Sequence, residues 1–268
     1  MKRFKTTGCL LSAIYLQLFC MAVVAADSNP SPAPTQFVPV KGPPDVAGLR
    51  HVDQNGQPTE QFLQRYHEPF LKRAKAGPIG ILFLGDSITA GWLSAGKDVW
   101  RKYYSAYNPA NFGVGGDRTQ DVLWRIEHGE LDGISPQVVV LLIGTNNGGD
   151  PDVARGVKKV VEEIRAKLPQ SKILLLGIFP RGGDPLNPPW MERSRAFNVS
   201  VNKELAKLDD GNQIRFLNIG EKFMDDKGFI SKEIMPDAVH PAAPGYQIWA
   251  DSMQPLLQTL LTEKNVSK

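Results

Sequence analysis

The sequence predicts an α/β protein, a three-layer α/β/α sandwich with a central parallel sheet. Three observations predict it. Short runs that are apolar at every position, such as Val138–Ile143 ("VVVLLI"), read as strands with both faces buried. They alternate with segments of helical periodicity, the order that a parallel sheet with crossover helices imposes. Polar and glycine-rich segments follow the strands, at the carboxyl edge where open α/β sheets bind their ligands.

The start of the 268-residue chain is of another kind. "MKRFK" carries three positive charges, and Gly8 to Ala26 is apolar or small almost throughout, ending in "AVVAA". This is the layout of a secretory signal peptide over residues 1–26, with small residues for cleavage before Asp27. An uncleaved anchor is the alternative, because the run nearly reaches the span of a bilayer. Residues 27–57, opening "DSNPSPAPTQFVPVKGPPDVAGLR", are rich in proline and polar residues and read as an extended linker. The folded domain is expected over 58–268. Within it, Phe62, Tyr66, Phe70 and Leu71 recur at helical spacing between Pro58 and Lys75. Ile81–Leu84 is the first strand, and "DRTQDVLWRIEHG" is a helix. Val138–Ile143 is the next strand. The helix after it places Val153, Val157, Val160, Val161, Ile164 and Leu168 on one stripe. Ile173–Ile178, a helix over 192–208, Ile214–Leu217 and a final helix from Pro244 to Leu261 complete the alternation.

Composition narrows the function. The leader takes Lys2, Arg3 and Lys5 from the 31 Lys and Arg, leaving 28 against 28 Asp and Glu. A domain so near neutrality has no nucleic-acid footprint. Both cysteines, Cys9 and Cys20, leave with the leader, so the mature chain has no disulfide although it is expected to be secreted or periplasmic. No His/Cys/Asp cluster has metal-ligand spacing, and no metal or other cofactor is expected. The "GVGGDR" segment lacks the dinucleotide fingerprint, and no Walker lysine is present. The expected partner is a small-molecule or glycan ester, with no stable membrane insertion after the leader is removed; a homodimer is compatible with the chain.

In "ILFLGDSITAGW" a buried strand stops at Gly85-Asp86-Ser87. A serine there is either a helix cap or a nucleophile, and a nucleophile needs a base. Of the four histidines, His51 falls in the linker, while His67 and His128 read as solvated surface residues. His240, in "MPDAVHPAAPGY", follows the last strand, and Asp237 three residues earlier can fix its tautomer. Alone, this spacing also fits a capped turn. Acyl transfer needs donors for the oxyanion. In "GVGGDRTQ", Asp117 and Gln120 form a capping box that puts the Gly116 N–H at a helix N-terminus, and Asn146 ends a strand with a side-chain amide. Tight turns and strand ends would account for the same residues.

Together these segments resemble, in order, the four blocks of the SGNH or GDSL hydrolase superfamily, from about Gly80 to Leu261. "NFGVGGDRTQDVLWRIEHGELDGISPQVVVLLIGTNN" and "LGIFPRGGDPLNP" are most similar to the catalytic subunits of intracellular platelet-activating factor acetylhydrolase. The resemblance implies a flavodoxin-like sandwich. It implies Ser87 as nucleophile, His240 as base, Asp237 as its orienting group, and the N–H groups of Ser87 and Gly116 with the Asn146 amide as oxyanion hole. It further implies that Ile88 and Val239, which flank nucleophile and base and are stiff at χ1, narrow the acyl site; packing into the core is the alternative for both. The chain departs from that branch in its export signal and from many superfamily members in carrying Asn147 where they have Asp. The expected activity is an exported serine esterase acting on short acyl, mainly acetyl, esters of carbohydrates. The alternatives are a phospholipid-like ester substrate, or a binding module that kept the fold. Trp92, Trp190 and the loop from Arg181 to Trp190 are candidates to face a sugar.

Overall fold

The computed structural model describes residues 42–182 and 188–263, except for the side chains of 188–191. The expected leader, the linker up to residue 41, most of the Arg181–Trp190 loop and the Trp190 side chain therefore lie outside the described residues. Thr59 opens the first helical stretch by accepting from the Phe62 N–H at 3.3 Å. That stretch comprises α1 (Glu60–Phe62), a π-helical segment (Leu63–His67) and α2 (Glu68–Lys75). There follow β1 (Ile81–Gly85), α3 (Ser87–Ala90), α4 (Lys97–Tyr104), β2 (Ala110–Gly113), α5 (Thr119–Glu127), β3 (Val138–Leu142), α6 (Val153–Lys167), β4 (Lys172–Leu176), α7 (Pro188–Ala206), β5 (Ile214–Leu217) and α8 (Ala243–Thr262).

The five strands are parallel and lie in the order β2-β1-β3-β4-β5. Successive side chains of a strand point to opposite faces, and the two cores follow that rule. Leu82, Leu84, Val139, Leu141, Ile173 and Leu175 enter one core with the apolar stripes of α5 and α6. Ile81, Phe83, Val138, Val140, Leu174 and Leu176 enter the other, against α4 and α8. This is why β1, β3 and β4 lack a polar face. The chain order reverses between β1 and β3, so a crevice opens beyond their carboxyl ends.

The structure departs from the sequence reading in four places. β2 and α4 are additional elements. The second half of the expected linker is not extended and free. Thr119 Oγ1 donates to the Pro44 carbonyl at 2.7 Å, the Gly48 N–H to the Gln120 carbonyl at 3.1 Å, and Leu49 is buried with Phe62 and Val114. Residues 42–57 are thus a strap on the domain rather than a spacer before it. His67, expected at the surface, is buried with Nδ1 2.9 Å from Glu130 Oε1. Finally, the box at the start of α5 is shifted by one residue. Asp121, not Gln120, reaches back, its Oδ2 accepting from the Arg118 N–H at 2.9 Å, and the Asp117 carboxylate points elsewhere.

Candidate active site

β1 ends at Gly85, where no larger residue fits: a Cβ there would collide with the Leu142 carbonyl oxygen. Asp86 caps α3 by accepting from the Ile88 N–H at 2.9 Å, which sets Ser87 at the first helical position. The backbone N–H of a residue there has no partner inside the helix and points outward. Asp86 is itself fully buried. Burial pushes its carboxyl up to about 7, against the pull of the Ile88 N–H and with a further push from the Asp117 charge.

Asp237 and His240 come from the turn before α8. Asp237 Oδ1 accepts from the N–H groups of Val239 (3.0 Å) and His240 (2.7 Å), and its Oδ2 lies 2.6 Å from His240 Nδ1. Burial raises the Asp237 carboxyl, but the His240 N–H, the imidazole and the Val239 N–H together hold it below the usual carboxylate range. Two acceptor bonds to the backbone fix the carboxylate, and the carboxylate fixes the ring. His240 Nε2 then lies 2.8 Å from Ser87 Oγ, across 153 residues of chain. The structure brings these three residues into one line of hydrogen bonds. A neutral ring that donates from Nδ1 presents its Nε2 lone pair to the hydroxyl.

Gly116 and Asn146 lie in the loops after β2 and β3, the two strands that border β1. Gly116 has φ 79°, a left-handed conformation that suits glycine. Asn146 follows β3 and donates from Nδ2 to the Asp117 carbonyl at 2.8 Å. A carboxamide nitrogen has two hydrogens, so one is spent on orientation and the other is left for a ligand. Asn147, the departure from the superfamily pattern, is buried and accepts the Thr119 N–H at 3.0 Å while donating to Gln120 Oε1 at 2.9 Å. It ties the segment after β3 to the start of α5. Ile88 is 1% exposed and sits in the core with Trp92, while half-buried Val239 packs against the same cluster. Trp92 is fully buried and not available to a sugar.

Sequence reasoning missed the ionic layer beneath these loops. Arg125 is fully buried and lies 2.9 Å from Asp117 Oδ2 and 2.6 Å from Glu130 Oε2. It also donates to the carbonyls of Phe112 (3.1 Å) and Gly85 (3.3 Å). The signal was a charged residue on the apolar face of a helix, Arg125 between Val122 and Ile126, which only a buried partner can justify.

The GDSL-like lipase/acylhydrolase family model matches residues 83–248. The chain is 32% identical over 225 residues to platelet-activating factor acetylhydrolase IB subunit alpha2 of Rattus norvegicus, covering 83% of this chain and 95% of that protein. It is 33% identical over 242 residues to the alpha1 subunit of Bos taurus, covering 90% and 94%. Among solved structures it is similar to an acetylxylan esterase from Geobacillus stearothermophilus, with TM-score 0.52, 17% identity and coverage of 72% and 99%.

Proposed function

Because the chain belongs to the GDSL-like lipase/acylhydrolase family and is a carboxylic ester hydrolase, we propose that it is an exported serine esterase for short acyl esters, acetyl above all. Ser87, His240 and Asp237 carry the reaction. The observation behind this reading is the 2.8 Å approach of His240 Nε2 to Ser87 Oγ on a ring held by Asp237. His240 takes the hydroxyl proton as Ser87 Oγ bonds to the ester carbonyl carbon. The carbonyl oxygen gains a negative charge, which meets the N–H groups of Ser87 and Gly116 and the second hydrogen of the Asn146 amide. The tetrahedral species collapses, and the imidazolium returns its proton to the departing alcohol. Water then attacks the acyl-serine by the same steps in reverse roles, releasing the acid.

For the alcohol part, the reading is a carbohydrate hydroxyl, which suits an enzyme outside the cell and the fold shared with an acetylxylan esterase. With Trp92 buried, sugar contacts on this reading come from other residues. A phospholipid-like acetyl ester is the second reading, favoured by identity of about a third with acetylhydrolase subunits over nearly their whole length. A fluorophosphonate should add mass to the peptide holding Gly85-Asp86-Ser87 and stop hydrolysis, whereas Ser87→Ala should fold, resist labelling and not turn over. Full activity in Ser87→Ala would overturn the assignment. Rates on acetylated oligosaccharides against acetylated lysophospholipids decide the alcohol.

A further inference from the structure

The strap carries an arginine to the turn after β2, which contains Gly116 and accepts a hydrogen bond from Asn146. Arg50 Nη1 donates to the Gly116 carbonyl oxygen. Its guanidinium lies against Gly116 where a Cβ would project, so that only glycine leaves room for it. The peptide it grips closes a turn: the N–H of that peptide, from Asp117, donates back to the Val114 carbonyl at 3.2 Å. The turn ends at the Asp117 carbonyl, which accepts from Asn146 Nδ2 at 2.8 Å and so aims that amide. One rigid turn therefore sets the direction of two donors, the Gly116 N–H and the Asn146 side chain.

Arg50 is anchored to do this. Its own N–H donates to Asp121 Oδ1 at 2.6 Å, while the other oxygen of Asp121 accepts from the Arg118 N–H. Leu49 packs on Val114, the first residue of the turn, and His51 stacks on Phe62 with ring centroids 5.0 Å apart. The strap thus holds the turn from outside, as Arg125 holds the Asp117 carboxylate from beneath. We propose that Arg50 is a positioning residue for the oxyanion hole, acting through the Gly116 carbonyl, and that the strap around it is part of the catalytic apparatus. The proposal rests on the reading of Gly116 and Asn146 as oxyanion donors.

A donor that is misaimed weakens transition-state binding more than substrate binding, so the effect belongs in kcat. Arg50→Gln and Asn146→Ala are compared singly and together in the full chain on 4-nitrophenyl acetate, with Tm recorded for each. Arg50→Gln should lower kcat by about ten-fold or more with KM within about two-fold of the parent. In the Asn146→Ala background the same substitution should cost much less, because the hole it aligns is already incomplete. Arg50→Lys, which keeps the cation on a flexible stem, should recover part of the loss at native Tm; it also serves as the probe should Arg50→Gln fail to fold. Unchanged kcat in both Arg50 variants, a change in KM alone, or losses that multiply in the double variant would overturn the proposal. A normal kcat in Asn146→Ala would instead bring down the oxyanion reading, and this inference with it. If Asn146→Ala is impaired and Arg50→Gln is not, the inference fails alone.

Discussion

A single hydrogen-bond direction organises the chemistry at the scale of the residue. Asp237 spends one oxygen on two backbone N–H groups and the other on His240, so the imidazole has one orientation and one working tautomer. The neighbours of nucleophile and base decide what fits beside them. The Ile88 side chain is sealed in the core, and its carbonyl accepts from the Tyr246 hydroxyl at 2.7 Å. Truncating it creates a core cavity, typically costing ~2–5 kcal/mol, and tests stability rather than selectivity. Val239 is the cleaner probe, being half-buried and stiff. If it bounds the acyl site, a butyryl chain overpacks it by ~1–3 kcal/mol, a rate ratio of about 5 to 150 in favour of acetyl. Val239→Ala should then raise kcat/KM for butyryl relative to acetyl esters of one alcohol at unchanged Tm. A parent enzyme that prefers butyryl, or a variant with the parental ratio, removes Val239 from the acyl wall.

Elements differ in how far their sequence betrays them. β1, β3 and β4 are legible because each feeds two cores and has no polar face. β2 ("ANFG") is an edge strand whose Asn111 turns its side chain back to the Thr89 carbonyl (2.7 Å) and the Gly113 N–H (2.9 Å), so neither apolar period nor length marks it. The line Ser87–His240–Asp237 could be suspected from a strand end and a three-residue spacing, which are local features. That spacing alone also fits a capped turn, and the family resemblance is what singles the three out. The strap is not legible, since its ties run to residues about 70 positions away and go through backbone groups that any composition supplies. His67 fails for the same reason, its partner Glu130 lying 63 residues on. Arg125 joins these distant parts: from α5 it holds the ends of β1 and β2, the Asp117 carboxylate and Glu130. Removing one member of a buried ionic group leaves the others uncompensated, at a cost of about 3–5 kcal/mol. Arg125→Met should accordingly lower the unfolding free energy from urea titration by that amount, with Glu130 and Asp117 stranded. A change under about 1 kcal/mol would mean that the layer is not fully desolvated, contrary to its burial.

Across the whole molecule, the buried carboxyls make stability fall as pH rises. Burial, more than any other influence, pushes Asp86 and Asp121 up to about 7 from an ordinary 3.8, and the Asp117 charge adds to both. The opposing pulls are weaker: the Ile88 N–H, His240 and Arg181 on Asp86, and the N–H groups of Arg118 and Arg50 with His51 on Asp121. A raised carboxyl keeps its proton in the folded chain at pH values where the unfolded chain has lost it. The stability it contributes is therefore complete below about 3.8 and drains away as pH climbs toward 7. Each group can add a slope of up to ~1.4 kcal/mol per pH unit in that window. Asp237 is displaced in the opposite direction, so its contribution is lost only as pH falls below 3.8 and leaves the window untouched. The protein should thus unfold at a lower urea midpoint at pH 8 than at pH 5. Asp86→Asn, which keeps the acceptor for the Ile88 N–H and removes the titration, should flatten the stability slope between pH 4 and 7. A parental midpoint that rises over that range, or an Asp86→Asn variant with the parental slope, would show that Asp86 is ionised throughout.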